Sequence, residues 1–170
     1  MDSPLRSLSR LERTLFRLQA QHACLAWAFA EIADRSGPVL ELGLGRGRTF
    51  EHMRSHLPER EIYVFGRGNW AYDEYQPDPD YLTLGEISET FPPFAARMQG
   101  RFVLANSDIE YFDETMSRKN AALAARLLPS VVAPGGIIMS DLMLDLPDFE
   151  AIPLSGKAPQ TAYHLYRRPL

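Results

Sequence analysis

Apolar positions recur three and four residues apart through the start of the chain, at Leu8, Leu11, Leu15, Leu18, His22, Leu25, Phe29 and Ile32. That spacing lays them on one stripe of an α-helix, with Ser3 as its cap and Pro4 in its first turn. Arg6, Arg10, Arg13 and Arg17 form a second stripe on roughly the opposite face, expected to be solvated, with docking of an acidic partner as the alternative. Ser36-Gly37-Pro38 stops the helix. Beyond it the pattern changes to short apolar runs separated by helical ones. Strands are predicted at 39–42, 62–65, 82–84, 102–105, 137–139 and 162–166, and helices at 48–56, 88–98 and 113–128. Asp113 is placed to cap the last of these helices, whose Met116, Leu123 and Leu127 share a face. Residues 68–80 are irregular, and Pro134-Gly135-Gly136 is read as a turn. Alternating β and α units of this size predict an α/β fold, a three-layer doubly wound and mostly parallel sheet with an N-terminal helical extension.

Length and charge narrow the classes. With 170 residues the chain is read as one domain, 1–170, made of the extension at 1–35 and a core at 36–170. A net charge of −4 argues against nucleic acid as a partner. The charge-free stretch at residues 20–30 contains Gln21 and His22 and is too short to span a bilayer, so no membrane partner is expected. Met1-Asp2-Ser3-Pro4 lacks the apolar stretch of a secretory signal. Cys24 has no cysteine partner in the chain, which fits a reducing, cytoplasmic location.

The most informative stretch is Val39-Leu40-Glu41-Leu42-Gly43-Leu44-Gly45-Arg46-Gly47-Arg48-Thr49-Phe50. A buried strand leads into three glycines at alternate positions and then a helix. Glycines there let the backbone turn sharply and a ligand approach it, while the helix start offers free N–H donors. A tight turn alone needs one or two of them. A dinucleotide fingerprint would place its third glycine at Arg48, and a phosphate loop would need a lysine before Thr49, so neither pattern is met.

The segment instead resembles motif I of the class I S-adenosylmethionine-dependent methyltransferases, carried by Glu41, Gly43, Gly45 and Gly47. Residues 128–141 look like that family's passage from a helix through Pro-Gly-Gly into the fifth strand, and 102–108 like a fourth strand ending in an acid, here Asp108. The closing Tyr163-His164-Leu165-Tyr166-Arg167-Arg168 is similar to the family's terminal strand. The resemblance covers most of residues 36–141 and implies a Rossmann-like fold binding S-adenosyl-L-methionine. It places Gly43, Gly45 and Gly47 against the methionine part of the cofactor. Glu41 would fix the loop or receive the ammonium through water, Leu42 stands beside it in the site, and Arg48 and Thr49 add donors. Glu86 becomes a candidate for the adenine amine, with a solvated acid as the alternative, and Ile87 for the ring face. The family ends strand two with an acid for the ribose hydroxyls. Gly66-Arg67 stand there instead, so Asp73 or Glu74 substitutes, or the ribose is held differently with Arg67 in the site. A basic residue at that point also suits a 2′-phosphate, which keeps an NADP-dependent oxidoreductase as a minor reading.

The leading expectation is a methyltransferase acting on a small-molecule acceptor, with a non-catalytic cofactor-binding module as the main alternative. Asp108 is the acid best placed to orient or deprotonate the acceptor, with capping of the next segment as the bland reading. Catechol-type methyltransferases carry metal-binding acids at the ends of strands four and five, but Leu142 replaces the asparagine expected after Asp141. Two acids are a thin set for a hard cation, so no metal is expected. His52 and His56 are read as a solvated helix face, His22 as a core histidine and Cys24 as a small buried hydrophobe. Aromatics of residues 68–81 wall a substrate pocket or cover the core edge. The N-terminal helices are expected to close the pocket or to join subunits of a homo-oligomer.

Overall fold

The computed structural model describes residues 8–154 and 163–170. Ser3, Pro4 and Arg6 of the expected first helix, and residue 162 of the last strand, lie outside the described residues. The elements in chain order are α1 (Arg10–Glu31), β1 (Val39–Leu42), α2 (Arg48–His56), β2 (Ile62–Gly66), β3 (Leu82–Leu84), α3 (Ile87–Arg97), β4 (Phe102–Ser107), α4 (Glu114–Val131), β5 (Val132–Ser140), β6 (Glu150–Ile152) and β7 (His164–Arg167). They form one seven-stranded sheet in the order β3-β2-β1-β4-β5-β7-β6. The first five strands are parallel, and β7 runs antiparallel to both β5 and β6. Helices lie on both faces of this sheet. Ala20, Cys24 and Ala28 of α1 and Phe50 and Met53 of α2 pack on one face. Phe91 and Phe94 of α3 and Ala124 and Leu128 of α4 pack on the other. The expected three-layer, mostly parallel α/β architecture is present.

α1 differs from its expectation in start and in face. Its cap is Ser9, whose hydroxyl accepts the Glu12 N–H at 3.2 Å while Glu12 accepts the Ser9 N–H at 2.7 Å. The buried face is Ala20, Cys24, Leu25 and Ala28, whereas Leu11 and Leu15 are 78% and 50% exposed. The stripe of large apolar residues is therefore rotated partly out of the core. Small side chains let a helix lie close on a sheet, and here that close packing decides the orientation. His22 is a correction for the same reason: it is exposed, with its ring 5.3 Å from that of His52. Cys24 is buried as expected, and burial pushes its thiol up to about 12.

The expected turn at Pro134-Gly135-Gly136 lies inside β5. The chain bulges there: Phe102 pairs with Val132 and Leu104 with Ile137, so the ladder with β4 skips residues 133–136. Glycine at 135, with φ near +70°, absorbs this bulge while its N–H donates to the Arg168 carbonyl at 3.0 Å. β6 has only three half-exposed residues and no periodicity to betray it.

Phe91 is fully buried, edge-on to Phe65 at 5.3 Å. Phe91→Ala is expected to lower unfolding free energy by about 3–5 kcal/mol in urea titration, against about 1 kcal/mol for Ser9→Ala.

Candidate functional site

The parallel strands bring their carboxyl ends to one edge, and the loop after β1 runs along it. Gly43 and Leu44 both donate their N–H groups to the Phe65 carbonyl at 2.9 Å, drawing the loop onto β2. On the other side Asp108 donates its N–H to the Leu42 carbonyl at 2.8 Å. Gly43 has φ near +102°, and a methyl group there would fall 2.0 Å from the Asp108 carbonyl oxygen. Gly45, with φ near +50°, has nothing within 4 Å of such a methyl group and borders open space. Gly47 is the N-cap of α2 and offers no capping side chain, so the first-turn N–H groups stay available to a ligand.

A cavity of about 310 Å³ lies over this loop. Gly43, Gly45, Arg48 and Thr49 line it together with Arg67, Trp70, Gly85, Ile87 and Tyr111, and with Arg17, Asp108 and Glu110. Several sequence candidates thus come together: Gly43, Gly45, Arg48, Thr49, Arg67, Ile87 and Asp108. Others sit outside the lining. Leu42 is wholly buried in the layer of α3 and α4, so only its backbone reaches the site. Gly47 turns toward Ala71 rather than the cavity. Glu86 Oε1 accepts a hydrogen bond from Arg67 Nε in a 2.7 Å ion pair, and the Arg67 guanidinium stands 5.4 Å from the Tyr111 ring centre. Asp73 and Glu74 are exposed and do not line the cavity, and of the loop aromatics only Trp70 does.

Glu41 is completely buried beneath the loop. Its Oε2 accepts from Asn106 Nδ2 at 2.8 Å, while its Oε1 has no partner. Burial, opposed by the Asn106 hydrogen bond and reinforced by Asp108 and Asp141, pushes its carboxyl well above the usual range.

Asp108 does not cap the next segment. Arg17 Nη2 donates to its Oδ1, and Gln21 Nε2 donates to its Oδ2 at 3.1 Å. Gln21 Nε2 also lies 2.8 Å from the Tyr163 hydroxyl. Behind Asp108, Asp141 Oδ2 accepts the Glu110 N–H at 2.8 Å and stands 3.8 Å from Arg17 Nη2, while its Oδ1 is unpartnered. Burial, then the charge of Asp108, push the Asp141 carboxyl up to about 8. The outward arginine stripe is therefore corrected at Arg17, which turns into the site. Sequence reasoning missed Arg17, Gln21 and Tyr163. The available signal was the spacing of Arg17 and Gln21 four apart, in line with the small residues that face the sheet.

Among the described residues no group of three metal-ligating side chains is suited to an ion. Asp108 and Asp141 share the Arg17 guanidinium, and that donor set does not suit a divalent cation. His52 and His56 are 4.3 Å apart between ring centres and pack on Phe29, which makes this helix face more covered than expected. Burial, then the neighbouring imidazoles, lower the pKa of His52. No helix among the described residues is long and apolar enough to cross a membrane.

A family model described as S-adenosyl-L-methionine methyltransferase matches residues 8–168. An S-adenosyl-L-methionine methyl transferase from Silicibacter pomeroyi DSS-3 is 37% identical and superposes with a TM-score of 0.87 over 95% of this chain and 100% of its own. The 1,6-didemethyltoxoflavin-N1-methyltransferase of Burkholderia thailandensis, solved with bound S-adenosylhomocysteine, shares the fold at 14% identity. Its TM-score is 0.57 over 99% of this chain and 93% of its own. No curated protein sequence matches the chain.

The raised Asp141 pKa makes stability pH-dependent. Its folded value lies above the ordinary 3.8, so the contribution is complete below about 4 and is lost as pH rises toward about 8. Thermal unfolding of the wild type is expected to lose midpoint across that window relative to Asp141→Asn. Parallel profiles would contradict the burial of an ionisable group there.

Proposed function

The chain belongs to the S-adenosyl-L-methionine methyltransferase family, and from that premise we propose that it methylates a small molecule held beside Asp108. The observation that carries this reading is the open face of Gly45 beneath a 310 Å³ cavity that ends at a carboxylate. The residues present fit the cofactor. The loop leaves room where a side chain would intrude, α2 presents unused N–H donors, and Glu41 Oε1 is a buried acceptor in want of a donor. Gly43, Gly45 and the start of α2 would hold the methionine end, Ile87 and Gly85 the base, and Arg67 with Glu86 the region between.

When bound, S-adenosyl-L-methionine supplies a methyl group already activated on sulfur, which leaves alignment and dryness to the protein. Trp70 and Tyr111 close the flanks of the cavity. Asp108, anchored by Arg17 and Gln21, is fixed in place to orient an acceptor and to take its proton where it has one to lose. The alternative of an NADP-dependent oxidoreductase is disfavoured because Arg67, the one base at the end of β2, is already matched by Glu86. A cytoplasmic location and a homo-oligomer through α1 belong to the same proposal. The lone Cys24 supports the first, and the exposed Leu11 and Leu15 support the second.

S-adenosylhomocysteine at 100 times its dissociation constant is expected to stabilise the chain by about 2.7 kcal/mol in thermal unfolding, with no effect from NADPH. The reverse ranking would overturn the assignment. Gly45→Ala is expected to cost about 1–2 kcal/mol from its left-handed backbone. It should also weaken S-adenosylhomocysteine binding about tenfold or more by calorimetry.

A further inference from the structure

Resting on the methyltransferase reading, we infer that the acceptor is an amine, which enters as an ammonium ion and takes the place of the Arg17 guanidinium on Asp108 and Asp141. The sheet order separates the two halves of the cavity. The glycine loop follows β1, and Arg67, Gly85 and Ile87 lie off β2, β3 and the start of α3, so the cofactor extends from β1 toward that edge. The ends of β4 and β5 lie on the other side of β1. There the chain has placed two carboxyls and, among the described residues, one cation within ion-pair distance of them.

That cation is a poor fit for the position it fills. Arg17 bonds Asp108 Oδ1, but its nearest nitrogen is 3.8 Å from Asp141 Oδ2, an ion-pair distance rather than a hydrogen bond. Asp141 has a side chain only 1% exposed and an Oδ1 with no donor. The buried Ser107 hydroxyl beside it is unpartnered too, and so is Arg17 Nε. A planar guanidinium reaching down from α1 therefore cannot satisfy both carboxyls at once. A compact ammonium has three tetrahedrally arranged N–H donors, enough to engage Asp108 and reach toward the second carboxyl. Arg17 is also the displaceable partner, since its side chain is 37% exposed while Asp108 is 23% exposed. It can move to solvent without leaving a cavity in the core. An anionic acceptor would meet the Asp108 carboxylate instead, a like-charge contact that disfavours it.

The chemistry balances. The bound ammonium gives one proton to the Asp108 carboxylate and so frees its lone pair, a transfer helped by removal of the charged amine from water. The nitrogen then bonds the methyl carbon as the carbon–sulfur bond breaks, with that bond's electron pair remaining on sulfur as a neutral thioether. The product is the N-methylammonium ion, and the proton on Asp108 passes to solvent. Arg17 is thus a specificity-determining residue: it holds the acceptor subsite closed with a charge of the same sign as the acceptor.

The test uses the full chain saturated with S-adenosylhomocysteine and titrated with n-butylamine, n-butyrate and n-butanol at neutral pH. Butylamine alone is expected to bind by calorimetry, about tenfold more tightly in Arg17→Ala than in the wild type because the competing charge is gone. In Asp108→Asn its binding should be lost. With S-adenosyl-L-methionine, a panel of primary amines should yield S-adenosylhomocysteine and N-methylated products by mass spectrometry, with the matched carboxylates and alcohols unchanged. Stronger binding of butyrate, or no butylamine binding in Arg17→Ala, would overturn the amine assignment while leaving the family reading intact. Failure of S-adenosylhomocysteine itself to bind the wild-type chain would instead sink the reading on which it rests.

Discussion

The backbone of Gly43 lies against the carbonyl of Asp108 with no room between them for even a methyl group. This contact joins the ends of β1 and β4, and the rest of the site takes its position from it. The loop cannot move away from β2, because two of its N–H groups are held by the Phe65 carbonyl, nor away from β4, because Asp108 is bonded back to Leu42. The glycine loop and the backbone of Asp108 are thereby fixed to each other by main-chain contacts. Main-chain positioning of that kind loses little entropy on binding, and it suits a reaction whose chief demand is alignment.

α1 links the fold to the site in a second way. Its lower face is small and buried on the sheet, and its Arg17 and Gln21 continue that face to the carboxylates at the strand ends. Packing and polar recognition therefore use the same stripe of one helix. The arrangement explains why α1 cannot lie with its largest residues inward. A helix carrying Leu11 and Leu15 against the sheet would stand too far away for Arg17 to reach Asp108, so the exposed leucines follow from the position of the arginine.

The α/β architecture was legible because apolar runs of strand and helix length alternate along the chain, and the glycine loop because its three glycines exceed what a turn needs. Charge and burial were less legible. Arg17 sits in a run of arginines three and four residues apart, and only its alignment with Gln21 and the small residues of α1 distinguishes it from those that meet water. The Pro134-Gly135-Gly136 passage carries every mark of a turn, yet it is a bulge within β5, flanked by residues paired to β4 and β7, a long-range constraint invisible to local propensity. Glu86 was assigned toward the base, but the arginine at the end of β2 claims it first. In each case the deciding partner lies far away in sequence.

The two departures from the family pattern can be understood together as a redistribution of charge along the strand ends. Where an acid is usual after β2, an arginine stands, and its charge is countered by Glu86 and spread over the face of Tyr111. After β4 and β5, where acids stand in pairs, an arginine from α1 counters them. Both arginines are at least a third exposed, and both bond to groups at the margin of the cavity rather than beneath it. The cavity is thus bounded by two ion pairs, Arg17 with Asp108 and Arg67 with Glu86, while Glu41 lies buried below the loop, where loss of water disfavours its charged form.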